Sequence, residues 1–272
     1  MPTITIEDER DPRLALYAGV REPALLSDRE LLIAEGRYIV RRLLASGRVR
    51  IRSLLLNPAA AQGLGEAIDA ADFDVDVYVA SPTVIAGATG FNMHHGCLAL
   101  AERPTPVAFD AAVAASDTIV VLDRVADPDN VGSVFRNAEA FGADAVLLSP
   151  GCGDPYYRKA IRTSSGAALT VPFSSAEPWP DALDRLRAAG FTLAALTPAP
   201  GAADLGDFVR GESVRGRIAV LFGTEGQGLT EQALARADVH LRIPISRASD
   251  SLNIATAAGI TLHRLDEARR RA

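Results

Sequence analysis

The sequence predicts an α/β protein with a mostly parallel sheet in its C-terminal part and a smaller α/β unit before it. Three observations predict this. A bare apolar run at residues 119–122 is followed by candidate strands at 145–148, 192–196, 218–222 and 239–243, with helical stretches between them. Bare apolar runs mark parallel strands covered on both faces, and strand–helix alternation marks a layered α/β sheet. The N-terminal third carries its own short strand and helix candidates. Between the two parts, Arg103-Pro104-Thr105-Pro106 cannot continue regular structure, because proline lacks the N–H and fixes the backbone.

Taken in order, residues 31–45 show helical spacing, with Leu, Ile and Val on one face. Residues 49–56 read as a strand ended by Asn57-Pro58, and residues 59–70 as a helix. Residues 75–79 alternate Val with Asp and Tyr, as a half-buried strand does. A short helix is expected over 82–88 and a strand over 96–101. The second part begins near Thr118 and keeps the alternation to its end. The expected domains are therefore 1–104 and 118–272, joined by a linker over 105–117. Internal repeats and low-complexity segments are not seen.

With 272 residues, 48% hydrophobic and 23% charged, the composition is that of a globular chain with ample material for cores. No apolar stretch approaches the roughly 20 residues that span a bilayer, and the acidic N-terminus lacks the order of a signal peptide. A cytoplasmic location without membrane partners is expected. Two cysteines, Cys97 and Cys152, are too few for a disulfide framework. His94, His95 and Cys97 are the one tempting metal cluster. Adjacent residues on an extended segment point to opposite faces, so the histidines read instead as a solvated pair near a strand start. A net charge of −6 argues against coating nucleic acid indiscriminately, but leaves room for a local basic patch. All 28 basic residues except Lys159 are arginine. Arginine forks grip phosphates at two points, although a composition rich in Ala, Gly and Pro makes coding bias the main reading.

Three segments carry chemistry. The first runs from Asp127 to Gly142, after a buried strand and into a helix. Asp129 or Asn130 can cap that helix, Gly132 permits close approach, and Arg136 follows six residues after Asn130. Ligands of open α/β sheets bind at such carboxyl ends. The second, Gly223-Thr-Glu-Gly-Gln-Gly228, is a glycine-rich turn. It lacks the Gly-Lys-Ser/Thr ending of a phosphate loop, and Glu225 would repel a pyrophosphate. The third runs from Ile243 to Gly259. A strand ends at Pro244, a polar loop follows, and Asp250 or Ser251 caps a last helix that opens with small residues.

In this order and spacing the segments resemble the three motifs of the SpoU (TrmH) family of RNA methyltransferases, within the SPOUT superfamily. The carrying residues are Pro128, Asn130, Gly132 and Arg136; Gly223, Glu225 and Gly228; and Ile243, Pro244, Ser251, Leu252 and Asn253. The resemblance covers roughly residues 118–268. Leu32-Ile-Ala-Glu-Gly36 and the stretch after it resemble the family's substrate-binding domain, which is similar to ribosomal protein L30e. Residues 154–166 resemble a further segment of the catalytic domain, with Arg158, Lys159 and Arg162 as a phosphate patch.

The resemblance implies a C-terminal trefoil knot, an exception to the rule against threaded chains. It also implies a homodimer and S-adenosylmethionine as methyl donor, with no metal. The reaction implied is methylation of a ribose 2′-hydroxyl in structured RNA, ribosomal RNA ahead of transfer RNA. Arg136 is implied as the catalytic residue, with Asn130, Glu225, Ser251 and Asn253 shaping the site, and Thr197, Gly223, Ile243 and Leu252 around the donor. Arginine keeps its charge at working pH, so a clamp on phosphate and developing alkoxide suits Arg136 better than a free base. The rivals are a non-catalytic RNA-binding protein on the same scaffold and a nucleotide-dependent enzyme of another class.

Overall fold

A computed structural model describes residues 3–20, 30–47, 49–71, 74–93, 96–246 and 250–271. His94 and His95 lie outside the described residues. Two compact units emerge. Unit 1 is Met1–Thr105 with Tyr156–Thr170, and unit 2 is Pro106–Pro155 with Val171–Ala272.

Unit 1 is built on five strands: β1 (Thr3–Ile6), β2 (Leu31–Glu35), β3 (Ile51–Leu56), β4 (Asp76–Ala80) and β5 (Cys97–Glu102). Their order in the sheet is β1-β4-β3-β5-β2. The β1–β4 and β3–β4 pairs are parallel, whereas β5 runs antiparallel to β2 and β3. Helices α1 (Arg37–Ser46), α2 (Pro58–Asp69) and α3 (Pro82–Thr89) connect them. Ile33, Leu55, Tyr78, Leu98 and Leu100 fill one core beneath the sheet. Tyr17 is wholly buried there, and its hydroxyl pairs with Ser53 Oγ at 2.8 Å, so the polar group stays satisfied.

The helix expected over 31–45 is two elements. All five residues of β2 are buried, Leu31 to Ala34 as an apolar run and Glu35 through its pairing with Arg158, which a one-sided helix does not permit. Gly36 then turns the chain at φ +103°, a conformation that glycine adopts without strain, and α1 follows.

Unit 2 opens with α4 (Phe109–Ala114), so the expected linker over 105–117 is only partly one. Ala112 and Val113 are buried in the core of this unit, which explains why the segment is ordered there. Then come β6 (Thr118–Asp123), α5 (Pro128–Ala140) and β7 (Ala145–Leu148). The next helix, α6 (Arg158–Thr163), packs on β2 and belongs to unit 1. The expected 118–272 block is therefore interrupted. The chain returns as β8 (Phe173–Ser175), α7 (Asp181–Ala188), β9 (Thr192–Leu196), β10 (Ala203–Asp204), α8 (Leu205–Phe208), β11 (Ile218–Gly223), α9 (Glu231–Arg236), β12 (Val239–Arg242) and α10 (Ile254–Arg270).

The seven-stranded order is β10-β12-β9-β11-β6-β7-β8, and every described pairing is parallel. The central strands β6 and β11 are almost wholly buried, as their apolar sequences require. The carboxyl ends of β6 and β11 lie side by side, with Asp123 opposite Gly223. That register is what brings the first two chemical segments together.

Candidate active site

The site grows from three chain reversals in unit 2. After β6, Asp127 accepts from the Asp129 N–H at 2.7 Å and Pro128 takes the first helical position, so α5 starts two or three residues earlier than an Asp129 or Asn130 cap implies. After β11, the chain folds back on itself. Gly228 N–H donates to the Thr224 carbonyl at 2.9 Å, and Gly226 and Gly228 take φ +82° and +71°. A Cβ on Gly223 would stand 2.0 Å from the Gly228 carbonyl carbon and 2.1 Å from Leu229 N, so only glycine fits the crossing. After β12, the last helix is capped by Asn253, not by Asp250 or Ser251.

Asn253 is the hub. Its Oδ1 accepts from Ala255 N–H at 2.9 Å and Thr256 N–H at 3.4 Å. That orientation turns Nδ2 outward, where it donates to Asn130 Oδ1 at 3.2 Å and to Glu225 Oε1. One amide thus ties together the start of α5, the glycine turn and the start of α10. Asn137 adds a second tie, donating to the Ala255 carbonyl at 2.7 Å.

Beside the hub lies a cavity of about 700 Å³. Its walls include Leu196, Leu229, Ile243 and Leu252, and its polar rim carries Thr197, Glu225, Ser251 and Asn253. All four residues expected around a donor (Thr197, Gly223, Ile243 and Leu252) line it. Asn130 joins through its hydrogen bond to Asn253. Arg136 stays apart: it is exposed on α5 and makes no hydrogen bond or ion pair among the described residues.

The model of the SpoU rRNA Methylase family matches residues 117–263 of this chain. The chain belongs to that family. It is an RNA methyltransferase of the SpoU class by this match and by its relatives. A protein named as an uncharacterized tRNA/rRNA methyltransferase of Mycobacterium tuberculosis is 41% identical over 94% of this chain and 89% of its own. The 23S rRNA (guanosine(2553)-2'-O)-methyltransferase of Bacillus subtilis is 31% identical over 56% of this chain and 59% of its own. The SpoU methyltransferase AviRb of Streptomyces viridochromogenes, solved with AdoMet, superimposes with a TM-score of 0.79 at 22% identity, over 96% of this chain and 100% of that one. The last likeness establishes the shared SpoU fold.

Within this SpoU unit, Asp123 is a residue the sequence reading passed over. It is 1% exposed, and its Oδ2 accepts from Thr230 N–H at 2.8 Å and Thr230 Oγ1 at 2.7 Å. Ser149 Oγ donates to its other oxygen at 3.3 Å. A buried carboxylate needs such partners, and the Thr230 bonds fix where the glycine turn ends and α9 begins. The signal was present as an aspartate closing the apolar run Ile119-Val-Val-Leu-Asp123. The Cys152 thiol donates to the Leu122 carbonyl at 3.3 Å, and burial pushes its pKa up.

The expected phosphate patch is not one open surface. Arg158 Nη1 donates to Glu35 Oε2 at 2.6 Å, and Glu35 is only 7% exposed. The guanidinium also lies 4.9 Å from the Phe91 ring centre. Arg158 is thereby committed to unit 1, because releasing it would strand a buried carboxylate. Arg162 is exposed, and Lys159 is half-buried and engaged in an interaction of its own.

Proposed function

We propose that this chain transfers a methyl group from S-adenosylmethionine to a ribose 2′-hydroxyl of structured RNA, with ribosomal RNA as substrate. The observation that carries the reading is the Asn253 hub, which joins Asn130 and Glu225 at the rim of the cavity. The Bacillus relative's 23S rRNA 2'-O specificity and the AdoMet held by AviRb support it.

The cavity suits the donor. Its size lies within the range of roughly 300–1,000 Å³ usual for cofactor sites. Leu196, Ile243 and Leu252 offer apolar walls for a purine, and Glu225 and Asp250 add negative charge suited to a cationic ligand. Thr197, Gly223, Ile243 and Leu252 are the residues we assign to holding it. When bound, it supplies an electrophilic methyl group on a sulfonium.

The chain's own residues then align and protect. Asn253 is a positioning residue, since its amide is spent on the protein. Asn130, Glu225 and Ser251 present polar atoms where the ribose must enter. Displacement requires the 2′-oxygen in line with the methyl carbon, and positioning of this kind supplies much of the rate. As the O–C bond forms and the methyl–sulfur bond breaks, the hydroxyl proton passes to the substrate phosphate that Arg136 holds, and from there to solvent. Arg136, with its five donors uncommitted among the described residues, clamps a substrate phosphate and stabilises the developing alkoxide.

The same reading includes a homodimer, a trefoil knot around the donor, a cytoplasmic location, and RNA recognition by an L30e-like unit 1 in which Arg162 and Lys159 face phosphate. The test is transfer of labelled methyl to RNA from cells lacking the gene, followed by mapping of 2′-O-methylated positions. Labelling of ribosomal RNA at one ribose is expected. Labelling of transfer RNA moves the substrate, and methylation of a base overturns the reaction.

A further inference from the structure

At the end of α10 remote from Asn253 lies a second concavity, of about 240 Å³, between that helix and residues 209–215. Four of its nine lining residues are arginine: Arg210, Arg215, Arg264 and Arg271. Glu267 is its one acidic residue. Glu267 is shared, accepting from Arg271 at 2.7 Å and from Arg264 at 3.3 Å. Arg210 pairs with Asp207. Arg215 is exposed and makes no hydrogen bond or ion pair among the described residues. Counting Asp207, four guanidiniums meet two carboxylates, in a chain whose net charge is −6.

The carbonyl end of a helix favours cations, which accounts for basic residues in the last turn of α10. It does not account for Arg210 and Arg215, which arrive from a different segment and converge on the same cleft. The walls are built rather than accidental. Arg269 donates to the carbonyls of Val214 at 3.0 Å and Gly216 at 2.6 Å, clamping the 212–216 turn to the helix. Ion pairs at this exposure hold their arginines weakly. The forks are free to turn to a ligand that offers paired oxygens, as phosphate does.

We propose that this cleft binds the phosphodiester backbone of the RNA substrate, gripping two phosphates at the far end of α10. At about 1.5 Å of rise per residue, the cleft's helix residues, Arg264 to Arg271, lie roughly 16–27 Å along the axis from the Asn253 hub. The cleft thus holds RNA remote from the modified ribose. The inference rests on RNA being the substrate.

The test compares the wild-type chain with Arg215→Gln/Arg271→Gln. Arg270→Glu, on the same helix but outside the cleft, is the charge-matched control. The probe is a labelled stem-loop of ribosomal RNA, titrated over a range of salt, with ATP and inorganic pyrophosphate as competitors. The double variant should bind RNA at least about tenfold more weakly, and its log-affinity against log-salt slope should fall by roughly 1.5, the loss of two phosphate contacts. Its KM for RNA should rise while kcat at saturating RNA, donor affinity and unfolding midpoint stay unchanged. The control should match the wild type. RNA affinity unchanged in the double variant overturns the cleft proposal alone. So does tight pyrophosphate or ATP binding that RNA does not displace. A wild type that binds no RNA brings down the RNA reading itself.

Discussion

Asn253 has no hydrogen-bonding capacity left for a ligand in the present arrangement: two backbone N–H groups occupy its oxygen and two side chains occupy its amide. Its substitutions therefore separate two duties. Asn253→Asp keeps a good helix cap but sets a carboxylate against Glu225, so methyl transfer should fall about 100-fold, the scale of a small misplacement at a reacting centre. Asn253→Ala loses the cap as well, and should also lower stability by roughly 1 kcal/mol, read as a shifted urea midpoint. Arg136→Lys should lose most activity, because a point charge does not replace a fork on phosphate. Near-normal turnover by that variant, measured with labelled donor, would refute the clamp. The sequence named Asn130, Glu225 and Asn253 through their resemblance to the SpoU motifs, and the structure brings Asn130 and Glu225 each to the Asn253 amide. It did not find the right caps, since Asp127, Asp129 and Asn130 lie close together, as do Asp250, Ser251 and Asn253. All are residues able to cap, and the choice is made by where Pro128 and Ile254 begin the helices.

At the scale of elements, the glycine turn is the most exacting piece. Gly223→Ala would push a methyl group into the backbone of Gly228 and Leu229, atoms with no side-chain freedom to yield. The expected cost is at or above the roughly 1–3 kcal/mol usual for overpacking, with loss of donor binding by calorimetry. Gly226→Ala meets nothing within 4 Å and suffers only its φ of +82°, so about 1–2 kcal/mol is expected. Equal effects in the two variants would show that the crossing is not tight. The buried strands of this sheet were legible because apolar runs have little other use. Its edge strands β8 and β10, and the edge strand β1 of the unit 1 sheet, were not, since three, two and four residues carry too little pattern to stand out. The run at 31–35 was drawn into a helix because a strand followed directly by an amphipathic helix blurs both periods.

At the scale of the whole molecule, burial of Cys97 links stability to alkaline pH. Desolvation pushes this thiol from its ordinary value near 9 up to about 12. Between those values the unfolded chain has lost a proton that the fold retains, so the contribution is full below about pH 9 and disappears as pH climbs towards 12. Burial raises the Tyr17 hydroxyl too, adding a loss of the same sign at higher pH. Urea midpoints should stay level up to about pH 9 and then fall, and the fall should be shallower in Cys97→Ala. A midpoint that holds level to pH 11 in the wild type would contradict it.

The departure of the chain between β7 and β8 governs how this protein can be taken apart. Parallel neighbours need a crossover of a dozen or more residues, and here that crossover contains α6, a helix folded into unit 1. Unit 1 is therefore not a detachable N-terminal module. A chain shortened to begin at Pro106 would leave Ala160 and Ile161, both fully buried in the whole protein, without the surface that covers them, and should come out of solution as aggregate. Swapping unit 1 between relatives would have to move two separated stretches of gene together. Unit 1 should therefore diverge between relatives by substitutions within both stretches rather than by exchange of an intact block.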